Sequence, residues 1–261
     1  MLTSRKNPLV KSFRKLHQAK FRKQSRTCLL EGSNLIEAAS HHQYPLEVVC
    51  WTPDWQSRHE ALGAQIETQA ERIEVVSDEV LAAIATTQSP DGVAAIVPWP
   101  TTTDLPQTIE GVGLVLETIQ DPGNLGAILR SGSAACSTGL FLSSDCVALT
   151  NPKVMRASAG AWFQVPTYHP ADLRQTLAGY QAQGVKIIAT LSDASQPYWN
   201  LDYRQPSLIL IGNEGKGLSK ELIELADIQI NIPVAAGTES LNAAIAASII
   251  LFEGQRQRFC S

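Results

Sequence analysis

The sequence predicts an α/β protein whose second half contains a parallel β-sheet. Three observations support this fold. Short, continuously apolar segments alternate with helical patterns, glycine- and polar-rich loops follow the apolar segments, and 44% of the 261 residues are hydrophobic. Strands of a parallel sheet are buried on both faces, so they are apolar along their whole length. Ligands of such sheets bind beyond the carboxyl ends of the strands.

The first half is predicted to form a smaller α/β domain over residues 1–98. Its helices are predicted at residues 1–26, 34–39, 61–69 and 78–85, and its strands at 28–30, 46–51, 73–76 and 92–97. Leu9, Phe13 and Leu16 recur at helical spacing, and Ser33 is the predicted N-cap of the second helix. A segment rich in proline and threonine follows, and it predicts a linker over residues 99–110.

The second domain is predicted over residues 111–261. Its strands are predicted at 112–116, 140–142, 185–189, 208–211 and 228–232, and its helices at 125–135, 152–159, 173–183, 219–226 and 241–256. Ser240 directly precedes the last helix and is therefore its predicted N-cap. This alternation of strands and helices favours a parallel sheet covered on both faces.

Positive charge is concentrated at the N-terminus, although the whole chain has a formal net charge of −4. Nine lysines and arginines precede the first acid, Glu31, whereas the rest of the chain has 12 cations and 25 acids. The candidate RNA-binding cations of this arm are Arg5, Lys6, Lys11, Arg14, Arg22 and Arg26. A basic arm on an acidic body predicts contact with a nucleic-acid backbone, and a solvated helix face is the alternative.

Composition argues against several other classes of protein. The five cysteines are scattered without a CxxC pair, so neither a disulfide framework nor a zinc site is expected. No apolar segment approaches the roughly 20 residues that span a bilayer, and the N-terminus does not resemble a secretory signal. We therefore expect a cytoplasmic protein with no metal and no membrane partner.

Three loops that follow predicted strands contain the candidate chemistry, at residues 120–132, 211–218 and 232–244. Gly212, Gly215 and Gly217 permit close backbone approach, so a ligand there would be held by main-chain groups, although an ordinary turn is an alternative. The pattern fits neither a P-loop nor the GxGxxG fingerprint. Arg130 follows the first loop and could reach back toward it, or could form an ion pair on its helix.

Together these loops resemble the three motifs of the SpoU (TrmH-like) family of RNA ribose 2′-O-methyltransferases. The motifs correspond to residues 121–126 with Arg130, residues 212–218, and Ile232-Pro233 through Asn242. Residues 151–154 and 156–161 are also similar to the family. The first half resembles the ribosomal-protein-like substrate-binding domain of many members, through residues 4–11, 30–32 and 89–93. Val234 replaces the usual methionine, and Ala243-Ala244 replace a frequent Val-Ser.

The resemblance implies a SPOUT parallel-sheet domain with a C-terminal trefoil knot, a homodimer, and S-adenosylmethionine as cofactor. It implies cofactor contacts at Gly212, Gly217, Ile232, Leu241, Thr190 and Leu191. It implies a catalytic set of Arg130, Asn124, Glu214, Ser240 and Asn242. Arg130 would contact the ribose 2′-hydroxyl, Asn124 would orient Arg130 or the substrate, and the other three would organise the pocket.

The expected activity is methylation of a ribose 2′-hydroxyl in ribosomal RNA, because the additional N-terminal domain resembles those of rRNA-modifying members. Transfer RNA as the substrate and a non-catalytic RNA-binding protein that retains the fold are alternatives. A small-molecule enzyme with a nucleotide cofactor is a further alternative, which the basic N-terminal arm disfavours.

Overall fold

A computed structural model describes residues 1–100, 104–237 and 240–259. Thr101–Thr103 of the predicted linker and Thr238-Glu239 of the third loop lie outside these residues. The chain divides into two compact units, Met1–Thr101 with Ala148–Phe163, and Thr102–Val147 with Gln164–Ser261. The predicted boundaries at residues 98 and 111 stay a prediction. The predicted second domain, residues 111–261, includes residues 148–163, whereas in the structure these residues pack with the first unit.

The described helices and strands alternate along most of the chain. The helices are α1 (Pro8–Lys15), α2 (Ala19–Ser25), α3 (Ser33–His41), α4 (Pro53–Arg58), α5 (Glu60–Gln69), α6 (Asp78–Ile84), α7 (Pro122–Ala134), α8 (Pro152–Ser158), α9 (Leu173–Ala182), α10 (Lys220–Leu225) and α11 (Ala243–Phe259). The strands are β1 (Thr27–Glu31), β2 (Val48–Trp51), β3 (Ile73–Val75), β4 (Val93–Pro98), β5 (Val112–Leu116), β6 (Leu140–Leu142), β7 (Thr167–Tyr168), β8 (Lys186–Thr190), β9 (Gln196–Pro197), β10 (Ser207–Ile211) and β11 (Ile228–Asn231).

The first unit contains a four-stranded sheet in the order β1-β4-β2-β3, in which only the β2–β3 pair is parallel. The helix α1 packs on α6, and its Val10 and Phe13 are buried together with Leu16, the residue that follows the helix. Phe13 and Leu16 therefore belong to the core face that their spacing predicted, while Leu9 lies at its margin.

The single helix predicted over residues 1–26 is wrong, because the chain forms α1 and α2 with a tight turn between them. The amides of Leu16, His17 and Gln18 each bond three residues back, which ends α1. Arg22 then donates from Nη1 to the carbonyls of Leu16 (2.8 Å) and His17 (3.0 Å). The side chain of Arg22 thus satisfies carbonyl groups that the end of α1 leaves free.

Ser33 is not the N-cap that the sequence predicted. The helix α3 begins at Ser33 itself, after Gly32, whose φ of +94° favours glycine. The Ser33 amide donates to Asp91 Oδ2 (2.7 Å), and its hydroxyl accepts from Trp55 Nε1 (2.7 Å). Ser33 therefore joins three segments of the first unit instead of capping its own helix.

Glu31 connects the strand β1 to the segment that contains α8. Its carboxylate accepts hydrogen bonds from Thr86 and Thr87, and it pairs with Arg156 Nη1 at 3.0 Å. Burial alone would raise the pKa of Glu31, but these hydrogen bonds and the charge of Arg156 outweigh it and lower the pKa. The carboxylate is therefore charged at neutral pH and connects the 148–163 segment to the rest of the first unit.

The second unit is built on a seven-stranded sheet in the order β7-β6-β5-β10-β8-β11-β9, and every pair in it is parallel. The strands β5 and β10 are buried along their full length, as continuous apolar sequence predicts. The α/β fold and the parallel sheet expected from the sequence are confirmed. The strands β7 and β9 were not predicted, because two residues are too short for a periodic pattern.

Candidate functional site

The three loops singled out by the sequence meet at one edge of the parallel sheet. They follow β5, β10 and β11, and in the parallel register Leu116 pairs with Ile211 and Thr190 with Ile230. Because β8 lies between β10 and β11, the residues after Thr190 reach the same edge. This is the edge where parallel sheets bind ligands.

A chain of hydrogen bonds connects the three loops. Asn124, in the first turn of α7, donates from Nδ2 to Glu214 Oε1, and its Oδ1 accepts from Asn242 Nδ2 at 2.9 Å. Asp121 caps this helix by accepting from the Asn124 amide (2.8 Å), which fixes the position of Asn124. Three of the five predicted catalytic residues, 90 and 118 positions apart along the chain, are therefore in direct contact.

Asn242 also caps the last helix. Its Oδ1 accepts from the amides of Ala244 (2.9 Å) and Ile245 (3.3 Å), and α11 begins at Ala243. The predicted cap at Ser240 is therefore wrong, because the helix starts two residues later than expected. Ser240 is exposed and lines the cavity described below.

Arg130 lies two turns into α7, and its side chain is exposed. Within residues 1–100, 104–237 and 240–259 it has no hydrogen-bond or ion-pair partner. The ion pair that the sequence left as an alternative does not form among these residues. Its guanidinium, with five donors in a fork geometry, is thus open to an external acceptor.

The loop after β10 is closed by its own backbone. Asn213 and Gly217 exchange backbone hydrogen bonds of 3.1 and 2.9 Å, and Gly217 has a φ of +69°. A Cβ on Gly212 would lie 2.4 Å from the backbone carbon of Gly217, so only glycine fits at position 212. Gly212 therefore permits the predicted close backbone approach, and Gly217 supplies the positive φ.

Sequence analysis missed the contribution of Asn213. Its Oδ1 accepts from the amides of Gly215 (2.9 Å) and Lys216 (3.1 Å), while its Nδ2 donates to the Thr118 carbonyl (3.0 Å). This pattern is an Asx turn, which the Asn-x-Gly sequence could have indicated. Asn213 thus fixes the backbone of its own loop and connects the loop to the segment after β5.

A cavity of about 530 Å³ opens between the segments that follow β8, β10 and β11. All six residues predicted to contact the cofactor line it: Thr190, Leu191, Gly212, Gly217, Ile232 and Leu241. Glu214 and Ser240 line it too. The volume lies within the roughly 300–1,000 Å³ of small-molecule sites. The roles assigned to these residues remain predictions, but the structure brings them together.

Features of the cavity wall fit a polar small molecule. The hydroxyl of Thr190 is buried and has no hydrogen-bond partner among the described residues. A buried polar atom without a partner costs free energy, so a ligand that bonds this hydroxyl would be favoured. The missing side chain of Gly212 makes room for the backbone of Gly217, so the loop can fold tightly where it lines the cavity.

The basic N-terminal arm is mostly available to solvent. Arg5, Lys6, Lys11, Arg14 and Arg26 are exposed, and Arg26 lies over the ring of Trp99 at 5.3 Å. Arg22 is the exception, because it is only 4% exposed and burial lowers its pKa. The assignment of Arg22 to RNA binding is therefore corrected to a structural role.

The described residues contain neither a cluster of metal ligands nor a membrane-spanning helix. No group of three or more histidine, cysteine, aspartate and glutamate side chains could hold a metal ion in the described part of the chain. No helix among the same residues has the length and apolar character needed to cross a bilayer.

Comparison with known families gives two matches. Residues 111–252 match the SpoU rRNA Methylase family, and residues 7–95 match the MRM3-like substrate binding domain. The first match covers the parallel sheet and all three loops, and the second covers most of the first unit.

Individual relatives match over nearly the whole chain. A protein of Synechocystis sp., described as an uncharacterized tRNA/rRNA methyltransferase, is 41% identical, with 100% of this chain and 95% of that protein covered. The 23S rRNA (guanosine(2553)-2′-O)-methyltransferase RlmP of Bacillus subtilis is 29% identical over 96% of this chain and 97% of its own length. The crystal structure of an AdoMet-bound rRNA methyltransferase from Sinorhizobium meliloti has a TM-score of 0.87 at 30% identity, covering 98% and 97% of the two chains.

Two glycine substitutions test whether the loop after β10 requires glycine. Gly212→Ala should lower the midpoint of thermal unfolding, because its Cβ would overlap Gly217. Gly179→Ala is the matched control, since Gly179 lies in α9 with no atom within 4 Å of an added Cβ. That control should stabilise the protein by about 0.5–1 kcal/mol through helix propensity. Equal midpoints for the two variants would contradict the closed loop.

Proposed function

Since the chain belongs to the SpoU rRNA methylase family, we propose that it methylates a ribose 2′-hydroxyl of ribosomal RNA with S-adenosylmethionine (AdoMet) as methyl donor. The observation that carries this proposal is the hydrogen-bonded set Glu214–Asn124–Asn242 beside the glycine-lined cavity. Relatives named for 23S rRNA 2′-O-methylation, such as RlmP, align with both units, which supports ribosomal RNA as the substrate.

The residues of the cavity fit AdoMet. Main-chain groups at Gly212, Gly217 and Ile232 would hold the cofactor, and the Thr190 hydroxyl, which has no partner in the described part of the chain, would bond one of its polar atoms. When bound, AdoMet supplies an electrophilic methyl group on a sulfonium. The same loops would exclude water from one side of the cofactor and align it with the substrate, and alignment of two reactants supplies much of the rate in such a transfer.

Arg130 is proposed to contact the RNA directly. A guanidinium remains charged in proteins and donates hydrogen bonds, so Arg130 would orient the ribose 2′-oxygen and an adjacent phosphate. Asn124 is six residues earlier in α7 and is already fixed by Glu214 and Asn242. The fixed amide would therefore define the wall against which the ribose is positioned.

The family also implies a threaded chain and a cytoplasmic location, which we include in the proposal. The helix α11 follows the third loop and packs on α7, β5 and β10, an arrangement compatible with a C-terminal trefoil knot. An experimental trace of residues 207–259 would test the threading. Cosedimentation with ribosomal particles in cell extracts would test the location.

A homodimer is supported by an apolar stripe on α11. Ile245, Phe252 and Phe259 are 52%, 47% and 74% exposed, and their spacing of seven residues places them on one helix face. Exposed large apolar side chains that share a face mark interaction surfaces. A partner subunit seated on α11 would cover this stripe.

Arg130→Ala tests the proposed role of Arg130. Methyl transfer from labelled AdoMet to ribosomal RNA should fall about 100-fold or more, as when one group that stabilises a transition state is removed. AdoMet affinity measured by calorimetry should be unchanged, because Arg130 does not line the cavity. Arg174→Ala, an exposed arginine on α9, should keep full activity. Wild-type transfer by Arg130→Ala would reject the assignment.

The same assay separates the alternative functions. Label that appears in transfer RNA and not in ribosomal RNA would identify the other substrate class. RNA binding without any AdoMet binding would identify a non-catalytic RNA-binding protein. AdoMet binding without any RNA binding at low salt would favour a small-molecule substrate.

The basic arm is tested by the salt dependence of RNA binding. Lys11→Ala with Arg14→Ala should weaken binding and reduce the slope of log K against log salt by about one for each phosphate that is no longer neutralised. Arg72→Ala is the control, because this exposed arginine lies in the first unit but pairs with Glu74. An unchanged slope in the double variant would show that these two cations do not bind RNA.

Phe252→Asp tests the dimer. Sedimentation velocity should show a monomer, because a charge on the apolar stripe cannot be buried against a partner without a large desolvation cost. Leu105→Asp is the control, since Leu105 is also an exposed apolar residue (43%) but lies away from α11 in the sequence. If Phe252→Asp remains dimeric, or the wild type is monomeric, the stripe is not the interface.

A further inference from the structure

Thr118, two residues after the end of β5, has a backbone conformation that its side chain disfavours. Its φ is +57°, in the left-handed region. A β-branched residue rarely adopts this region, and such strain costs on the order of 1–3 kcal/mol in proteins. Strained residues persist only where their surroundings hold them, and they cluster at ligand-binding sites. Contacts with neighbouring segments must therefore hold Thr118 in this left-handed conformation.

The contacts come from the loop after β6. Thr118 donates from its amide to Ser143 Oγ (2.9 Å) and from its hydroxyl to Asp145 Oδ2 (2.6 Å). The Ser143 hydroxyl in turn donates to Asp145 Oδ1. Hydrogen bonds from Ser143 and Thr118 lower the pKa of Asp145, so its carboxylate is charged at neutral pH and remains an acceptor.

Thr118 in turn contacts the loop after β10, which lines the cavity. Its carbonyl accepts from Asn213 Nδ2 (3.0 Å), and the same Asn213 side chain accepts from the amides of Gly215 and Lys216. Asn213, Gly215 and Lys216 all line the cavity. The charge of Lys216 also lowers the pKa of Asp145, so the carboxylate interacts with this loop by a second route.

We propose that Asp145 is a positioning residue of the cofactor site: it holds Thr118 in the left-handed conformation and, through Asn213, shapes the loop of residues 212–217. Asp145 does not line the cavity and would not touch AdoMet. Its contribution is to pre-organise the loop, which lowers the cost of ordering the loop when a ligand binds. The effect on AdoMet binding rests on the proposed function, whereas the effect of Asp145 on the loop is independent of it.

Asp145→Ala in the full-length protein tests the proposal with two measurements. Hydrogen exchange followed by mass spectrometry should be faster in peptides that cover residues 212–217, without any ligand. The dissociation constant for AdoMet should rise about tenfold, equivalent to about 1.4 kcal/mol. The KM for AdoMet should rise similarly while kcat at saturating AdoMet changes little, because Asp145 acts on the loop and not on the reacting atoms.

Asp172→Ala is the matched control for general destabilisation. Asp172 caps α9 by accepting from the Gln175 amide (2.9 Å), so its removal should lower stability by about 1 kcal/mol. It should leave both the exchange of residues 212–217 and the AdoMet affinity unchanged. If both aspartate variants alter the loop equally, the effect is general destabilisation and the proposal is overturned.

Thr118→Gly tests whether the effect passes through residue 118. Glycine adopts a positive φ without strain, so the loop no longer needs Asp145 to hold the backbone. The effect of Asp145→Ala on exchange and affinity should therefore be much smaller in a Thr118→Gly background, as a double-mutant cycle would show. An equal effect in both backgrounds, or none in either, overturns the proposal. If the wild type fails to bind AdoMet, the proposed function fails, and the exchange data alone decide the role of Asp145.

Discussion

The position of β10 between β5 and β8 is the constraint on which the candidate site depends. This buried strand pairs with β5, about 95 residues earlier, on one side and with β8 on the other. Because these two pairings and the pairing of β8 with β11 are all parallel, the loops that follow β5, β10 and β11 leave the sheet at the same edge. Without this placement, Asn124, Glu214 and Asn242 would have no reason to approach one another.

The hydrogen bonds at that edge have a defined direction. The side-chain amide of Asn124 donates to Glu214 through its nitrogen and accepts from Asn242 through its oxygen. A carboxylate at position 124 could not make both bonds, because it has no N–H to donate. Asn242 uses its other end to cap α11, which couples the start of the last helix to the loop after β5. Arg130 is left outside this set, and its exposed guanidinium is open to an external acceptor.

The charges of the first unit fall into a structural group and a surface group. Arg22 and Glu31 are buried and paired with carbonyls, hydroxyls or Arg156, so their charges stabilise the unit. Arg5, Lys6, Lys11 and Arg14 are exposed on or beside α1, where they are free to contact phosphates. The number of charges alone could not separate these two groups, because exposure depends on where the chain turns between α1 and α2.

The sequence by itself determined the α/β fold, the main strands of the parallel sheet and the three loops of the site. Continuous apolar strands and glycine spacing are local signals, and the ordered motifs resemble one family. Only the tertiary structure decided which loops touch, that Asn242 and not Ser240 caps the last helix, and that Arg22 is buried. It also revealed Asn213, Thr118 and Asp145, whose contacts join segments 25 to 95 residues apart. Such contacts follow from strand order, which no local pattern in the sequence specifies.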